Sequence, residues 1–224
     1  MRQGAAQSVE RDREPDALRD VAAREEARQE PVAPHDEFAD ADGPVGIEDD
    51  GATVLRAEAN ASASGLSRAI NASPAEWPTL RWRWKVANVL KASNLATKAG
   101  DDFPARVYVM FDYPLEKLPF AERTKLRLAR ALYDPHLPAA TLCYVWDGKA
   151  SAGTIAPSAY TDRVRVVVVE SGAARVNQWL TVERDVAADF KAAFGDEAPA
   201  ISGIAIATDT DNTGESAVAH FGDI

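Results

Sequence analysis

The stretch Leu80-Arg81-Trp82-Arg83-Trp84-Lys85-Val86 alternates strictly between apolar and cationic side chains. Successive side chains of a β-strand point to opposite faces, so this pattern predicts a strand with one apolar face and one cationic face. Tryptophans at alternating positions of such a strand are more often core residues than exposed platforms for stacking a sugar ring. We therefore expect Trp82 and Trp84 inside, and the basic row solvated or paired across strands with acids such as Glu58.

Short apolar runs separated by turn residues extend from about Val45 to the end of the chain. The pattern predicts strands over 52–59, 62–70, 80–86, 105–111, 141–146, 163–170, 177–182, 201–207 and 216–221. Two short helices are expected between them, a basic amphipathic one over 119–133 and one that begins after an N-capping Asp185 and ends at Gly195. Many short strands with two inserted helices favour a mainly β fold, an antiparallel β-sandwich.

The negative charge of the chain is concentrated in its N-terminal segment. Residues 1–50 hold 15 acidic residues and 6 arginines, whereas residues 51–224 hold 20 acidic and 19 basic ones. Residues 1–44 also contain few large apolar side chains, and such a segment cannot bury enough surface to offset its ordering entropy. We predict a disordered acidic segment over 1–44, either a plain tail or a partner-binding arm, and a single β-sandwich domain over 45–224.

Carboxylates are the only functional groups that occur in clusters. Asp101 and Asp102 precede a nearly continuous apolar strand, which begins with Arg106 at its polar end. A second cluster lies between the last two predicted strands and comprises Asp209, Asp211 and Glu215. If the last strands return beside earlier ones, both acidic loops lie at the same end of the sandwich. We expect Arg106 to offset their mutual repulsion by pairing with one of these acids.

Three uses of these six candidate ligand-binding residues stay open. Two of the carboxyls can act as the pair of a glycoside hydrolase. Asp209 and Asp211 can instead bind a metal ion, Ca²⁺ above all, which prefers many oxygen ligands. Residues 209–214 are similar to the start of a calcium-binding loop, but Thr213 and His220 stand where such loops carry an acid or amide and a glutamate. The third use is structural, as ion-paired scaffolding and a polar hairpin.

Other chemistries have no motif in this sequence. A Gly-rich phosphate loop, HExxH, paired CxxC and GxSxG are absent, and the three histidines lack ligand spacing, so no catalytic residue is predicted. The nearly balanced charge of residues 51–224 argues against nucleic-acid binding. No run of about 18 apolar residues is present, so no membrane span is expected. The single cysteine, Cys143, lies in an apolar run and is expected to be buried and inert.

Four motifs in their order along the chain carry a family resemblance. They are residues 80–86, Lys98 to Val109, Tyr144-Val145-Trp146 and Thr208 to Glu215. Over roughly 52–224 the chain resembles the bacterial family catalogued as domain of unknown function 3047. The resemblance implies a β-sandwich of the jelly-roll or carbohydrate-binding-module kind, with no catalytic residues to carry over. Members often begin with an export signal, which implies a periplasmic or extracellular protein, although the first residues here lack the apolar core of such a signal.

Two classes of function follow as expectations. The first is a non-catalytic β-sandwich that binds a ligand, plausibly a glycan or a component of the cell envelope. The second is a hydrolase that uses the clustered carboxylates. A concave face with exposed Trp or Tyr side chains would favour binding, whereas two carboxyls facing one another in a closed pocket would favour an enzyme.

Removal of residues 1–44 is expected to leave the melting temperature of the remaining domain almost unchanged. The segment contains too few large apolar residues to contribute to a core. Circular dichroism melting of the full chain and of the truncated chain measures this. A loss of several degrees on truncation would show that the segment packs on the domain.

Overall fold

The computed structural model describes residues 43–132 and 135–224. The prediction of a disordered segment over 1–44 falls almost entirely outside the described residues. Within them the chain forms eleven strands and two α-helices of more than one turn. The strands are β1 Val45–Asp49, β2 Ala52–Asn60, β3 Ala63–Ala72, β4 Thr79–Val86, β5 Arg106–Phe111, β6 Ala140–Asp147, β7 Ile155–Pro157, β8 Val164–Ser171, β9 Leu180–Asp185, β10 Ile201–Asp209 and β11 Ser216–Gly222. The helices are α1, Phe120–Leu132, and α2, Val186–Phe194.

The strands form two sheets. The first sheet has the order β1-β2-β11-β4-β9, and the second has the order β3-β10-β5-β6-β8-β7. The mainly β fold expected from the sequence is therefore confirmed. All strand pairs are antiparallel except β6 and β8, which run parallel. β7 lies between these two strands in the chain, but in the sheet it pairs antiparallel with the other edge of β8. The expectation of a purely antiparallel arrangement is corrected at the pair of β6 and β8.

The strand boundaries agree with the sequence pattern except at three places. The pattern does not predict β1, or β7, which has three residues and ends on Pro157. The strand expected over 177–182 lies three residues later, at β9, because 173–178 form turns instead. Both helices are confirmed, and the Asp185 side chain caps α2 by accepting a hydrogen bond from the amide of Ala188 at 2.9 Å.

One aromatic core lies between the two sheets. Trp82 and Trp84 of β4 are fully buried, as the alternation predicts. The ring centroid of Trp82 lies 5.3 Å from that of Tyr144, and Trp84 lies 6.1 Å from Trp146, so β4 of the first sheet contacts β6 of the second. Large aromatic side chains bury 150–250 Å² each, which makes this contact the main apolar link between the layers.

The second sheet is also covered on its outer face. A smaller cluster of Phe103, Cys143, Val145, Val166 and Val168 packs there. Phe103 belongs to the loop 87–105, which is thereby held against the outer face. Every residue of β6 is consequently buried, which explains why this strand reads as a continuous apolar run.

The cationic face of β4 is only in part solvated. Arg83 Nε lies 2.7 Å from the carboxylate of Asp223, and Lys85 forms an ion pair with Asp49. Glu58 pairs with Arg56 of its own strand at 2.7 Å. Arg83 and Lys85 are therefore paired, with acids from the β1 end and the C-terminus rather than with Glu58, while Arg81 is exposed.

Replacing Trp84 by alanine is expected to lower the free energy of unfolding by about 3–5 kcal/mol. The side chain is fully buried between the sheets, so its loss removes apolar contact and leaves a cavity. Urea unfolding measures the change. Trp77→Ala is the matched control, because this side chain is 71% exposed and should change stability by no more than about 0.5 kcal/mol. Equal effects of the two substitutions would contradict the core assignment.

Candidate functional site

The register of two neighbouring strands brings the candidate residues together. Ala207 of β10 lies opposite Arg106, the first residue of β5. Side chains two residues apart on a strand share a face, so Asp209 projects on the same face as Arg106. This is the outer face of the second sheet, over which the Asp101-Asp102 loop passes. The two acidic loops therefore lie at one end of the structure, as expected from the sequence.

Arg106 is the centre of the cluster. Its guanidinium is almost fully buried, and its Nη2 lies 2.8 Å from Asp209 Oδ2 while its Nη1 lies 3.6 Å from Asp101 Oδ1. The same group donates hydrogen bonds to the Tyr108 hydroxyl at 3.2 Å and to the backbone carbonyl of Asp101. The sequence-based prediction that Arg106 pairs with one of the clustered acids is confirmed, and Asp209 of the second loop is the nearest of them.

Asp102 ties the two acidic loops to each other. Its side chain is fully buried. One carboxylate oxygen accepts a hydrogen bond from the backbone amide of Thr213 at 2.6 Å, and the other accepts from the side-chain amide of Asn212 at 3.1 Å. Asp102 is thus a structural acceptor that fixes the conformation of residues 211–214.

Gly100 allows the first loop to turn closely enough for this arrangement. A Cβ atom at Gly100 would lie 2.7 Å from the Cβ of Asn94, well inside the contact distance. The close approach lets the amide of Asn94 donate to the carbonyl of Gly100 at 2.6 Å. Any larger residue at this position would push the Asp101-Asp102 segment away from Arg106.

Asp209 and Asp211 form the accessible part of the cluster. Oxygen atoms of Asp102, Asp209 and Asp211 lie within 4.8 Å of one another. Burial, together with the carboxylates of Asp211 and Asp102, raises the pKa of Asp209 to about 8, although Arg106 acts in the opposite direction. Asp211 is exposed and accepts a hydrogen bond from the Asn212 side chain at 2.6 Å.

Glu215 lies apart from these carboxylates. Its two oxygens accept hydrogen bonds from the backbone amides of Lys91 at 3.0 Å and Ala92 at 2.7 Å. The carboxylate therefore anchors the loop that follows β4. Of the six candidates, the structure brings five together and places Glu215 in this separate structural contact.

Two residues that the sequence analysis did not select also reach the cluster. The Tyr160 hydroxyl donates to Asn212 Oδ1 at 2.7 Å, and the Ser158 hydroxyl lies 3.4 Å from Asp101 Oδ2. Burial and the neighbouring aspartates raise the pKa of the Tyr160 hydroxyl, so it stays a hydrogen-bond donor. Beside them is a surface cleft of about 250 Å³, lined by Leu95, Ala96 and residues 156–159. The only signal in the sequence was the Ser/Thr/Tyr-rich loop before β8.

A family model described as "Protein of unknown function (DUF3047)" matches residues 45–224. The chain belongs to this family. No curated protein matches the sequence. Residues 45–224 are referred to below as the DUF3047 domain.

The DUF3047 domain offers carboxylate and amide oxygens at this site as ligands and hydrogen-bond acceptors. Burial raises the pKa of the adjacent Cys143 thiol to about 12, so the thiolate needed for attack does not form near neutral pH. His220 lies on the first sheet, beside Trp179. Among the described residues, no helix has the length and apolarity needed to cross a bilayer.

The raised pKa of Asp209 predicts that the stability of the DUF3047 domain falls as pH increases. Between the usual carboxyl pKa of 3.8 and about 8, folded Asp209 retains a proton that the unfolded chain has released. The free energy of unfolding should therefore decrease with rising pH in this window, by up to about 1.4 kcal/mol per pH unit.

Asp209→Asn should flatten this dependence, because asparagine resembles the neutral carboxyl and does not titrate. Urea unfolding at several pH values between 5 and about 8 measures the slope. Asp112→Asn, which makes the same change at an exposed position, is the control and should keep the slope of the unaltered chain. Parallel profiles for all three proteins would contradict the protonated state of Asp209.

Proposed function

We propose that the DUF3047 domain is a non-catalytic binding domain whose ligand is a glycan or another polyhydroxylated component of the cell envelope. The observation that carries this proposal is the accessible rim formed by Asp209, Asp211, Asn212 and Tyr160 beside a cleft. This rim is the part of the acidic cluster that a ligand can reach. The buried part, Asp101, Asp102 and Arg106, holds the rim in place.

The chemistry of the rim suits a sugar. Hydroxyl groups of a sugar donate hydrogen bonds to carboxylate and amide oxygens, which Asp211 and Asn212 supply. The face of a pyranose ring is apolar and packs on aromatic or aliphatic side chains, which Tyr160 and the cleft residues Leu95 and Ala96 supply. A few converging polar groups beside an apolar wall are typical of small-molecule sites.

A calcium ion is part of this proposal as an optional bridge. Ca²⁺ takes six to eight oxygen ligands, and carboxylates of Asp102, Asp209 and Asp211 supply three of them at a suitable separation. The remaining positions are open to backbone carbonyls, water or two neighbouring sugar hydroxyls. A cation would also offset the burial and the carboxylate repulsion that together raise the pKa of Asp209.

The architecture supports the same proposal at the level of analogy. Two packed sheets with a site on one end are compatible with a jelly roll or a carbohydrate-binding module, and we propose that relationship for the DUF3047 domain. Fold analogy alone does not assign a ligand. The proposal therefore depends on the rim residues.

A hydrolase is the second candidate, and the raised pKa of Asp209 favours it. One protonated and one ionised carboxyl at neutral pH are the acid and base that glycoside hydrolysis needs. The pairing of Asp209 with Arg106 argues against this role, because a general acid has to present its proton to the leaving group. In the hydrolase alternative Asp209 is the acid and Asp211 the base.

A glycan array probed with the full chain, once with millimolar Ca²⁺ and once with EDTA, tests the proposed function. We expect binding to a restricted set of glycans, and Asp211→Asn should weaken it at least tenfold, about 1.4 kcal/mol, because a carboxylate acceptor is lost. Asp112→Asn is the control and should bind normally. Calorimetric titration of the best glycan measures the affinities.

Three results would separate the alternatives. Absence of binding to any glycan, or equal binding by Asp211→Asn and Asp112→Asn, would overturn the binding proposal. Release of reducing sugar that Asp209→Asn abolishes would establish the hydrolase instead. Identical binding and melting curves in Ca²⁺ and EDTA would remove calcium from the proposal while leaving the glycan site in place.

A further inference from the structure

The connection between β5 and β6 is far longer than these strands require. The two strands are antiparallel neighbours, and Phe111 lies opposite Ala140 in their register. A hairpin of two residues can join such strands, yet residues 112–139 intervene here. Helix α1 is part of this insertion, and none of its residues is buried. The core therefore does not need α1, and long insertions of this kind are commonly functional.

Helix α1 carries most of its large apolar residues on the outside. Phe120 is 75% exposed, Leu128 is 58% exposed and Leu132 is 65% exposed. With 100° per residue these three side chains lie within an arc of about 120°. The same arc holds smaller exposed residues, and we call the whole set the apolar stripe: Phe120, Ala121, Thr124, Leu128, Ala131 and Leu132.

The opposite side of α1 is half-buried and mostly polar, with Leu126 as its one large apolar residue, and it contacts the rest of the domain. Glu122 lies 3.8 Å from Arg163, and Arg130 donates two hydrogen bonds, of 2.9 and 2.7 Å, to the carbonyl of Leu137. A surface helix of a globular protein normally turns its apolar side inward. In α1 three of the four large apolar residues face outward instead, so its apolar stripe is directed to whatever lies outside the domain.

Two cations border the apolar stripe. Lys125 lies beyond Leu132 on one side of the arc, and Arg127 lies beyond Phe120 on the other, and both are exposed. No ion pair of either side chain with another described residue is present. An apolar stripe between two rows of positive charge matches the boundary between acyl chains and anionic headgroups.

We propose that α1 docks on a membrane surface containing anionic lipids. The apolar stripe enters the interfacial layer with Phe120 and Leu128 foremost, while Lys125 and Arg127 reach the headgroups on either side. Binding through one short helix is reversible, so α1 acts as a surface contact and does not cross the bilayer.

Other occupants of the stripe fit less well. A second copy packed stripe to stripe would bring the cations of two α1 helices together. The N-terminal segment has the complementary negative charge, but residues 1–42 contain only six large apolar residues, Met1, Val9, Leu18, Val21, Val32 and Phe38. An apolar stripe needs an apolar partner, and a lipid surface supplies both the apolar phase and the negative charge.

Cosedimentation of the full chain with lipid vesicles tests the proposal. We expect binding to vesicles of phosphatidylcholine with phosphatidylglycerol and much weaker binding to phosphatidylcholine alone. Raising the salt concentration from about 0.1 M to about 1 M shortens the Debye length from about 10 Å to about 3 Å and should weaken the binding. Lys125→Gln combined with Arg127→Gln should remove most of this salt dependence.

Leu128→Glu is expected to weaken vesicle binding roughly tenfold, because it replaces an apolar side chain in the interfacial layer by a negatively charged one. Leu66→Glu is the matched control, since Leu66 on β3 is 49% exposed and lies outside α1. This control should bind like the unaltered chain. Melting curves of both variants show that the fold is kept.

Four results would overturn the proposal. They are absence of binding to anionic vesicles, equal and salt-insensitive binding to neutral vesicles, equal loss of binding in Leu128→Glu and Leu66→Glu, and retained binding in Leu128→Glu. If sedimentation equilibrium showed that Leu128→Glu breaks an oligomer without changing vesicle binding, a second copy would be the occupant. None of these results depends on the glycan site.

Discussion

A buried guanidinium has to be neutralised, and this requirement organises one end of the DUF3047 domain. Arg106 is almost fully buried at the start of β5, where an unpaired charge would cost several kcal/mol. Asp101 in the preceding loop supplies a countercharge at 3.6 Å, and the carboxyl of Asp209 at the end of β10 accepts from the guanidinium at 2.8 Å. The pairing thus links a strand end to a loop, and the loop carries Phe103 onto the outer face of the second sheet. The same contacts that neutralise Arg106 also present Asp211 and Tyr160 to solvent.

The cluster carries more negative than positive charge, and this excess favours the binding of a proton, a cation or hydrogen-bond donors. Arg106 can neutralise one carboxylate fully, but four aspartates lie around it. The excess is relieved by a proton on Asp209, by a cation or by the donors of a ligand. Structural ion pairs would show balanced charges and satisfied oxygens, as Glu215 does with its two backbone donors. The imbalance distinguishes the accessible rim from scaffolding and makes it the better candidate for recognition.

The sequence predicted those features of the fold that depend on neighbouring residues in the chain. Alternation in 80–86 placed Trp82 and Trp84 in the core, and Asp185 and Gly195 marked the ends of α2. The ion pairing of Arg106 with a clustered acid was also predictable, because a buried cation requires a countercharge and clustered carboxylates repel one another. Tyr160 and Ser158 were not predictable, since they reach the cluster from a loop more than 50 residues away from Asp101 in the chain. The parallel pairing of β6 with β8 and the short β7 were missed for the same reason, because neighbouring strands rather than local sequence decide such pairings.

The positions of the last two strands have a consequence for how the chain folds. β10 lies between β3 and β5, and β11 lies between β2 and β4, so the last strands of this chain fill interior places in both sheets. Until they arrive, four earlier strands have open edges, which are prone to pair with other chains. On the ribosome neither layer can close before residues 201–222 have emerged, and contacts between distant parts of the chain form slowly. A chaperone that shields β-strand edges during synthesis would therefore act on nearly the whole length of this domain.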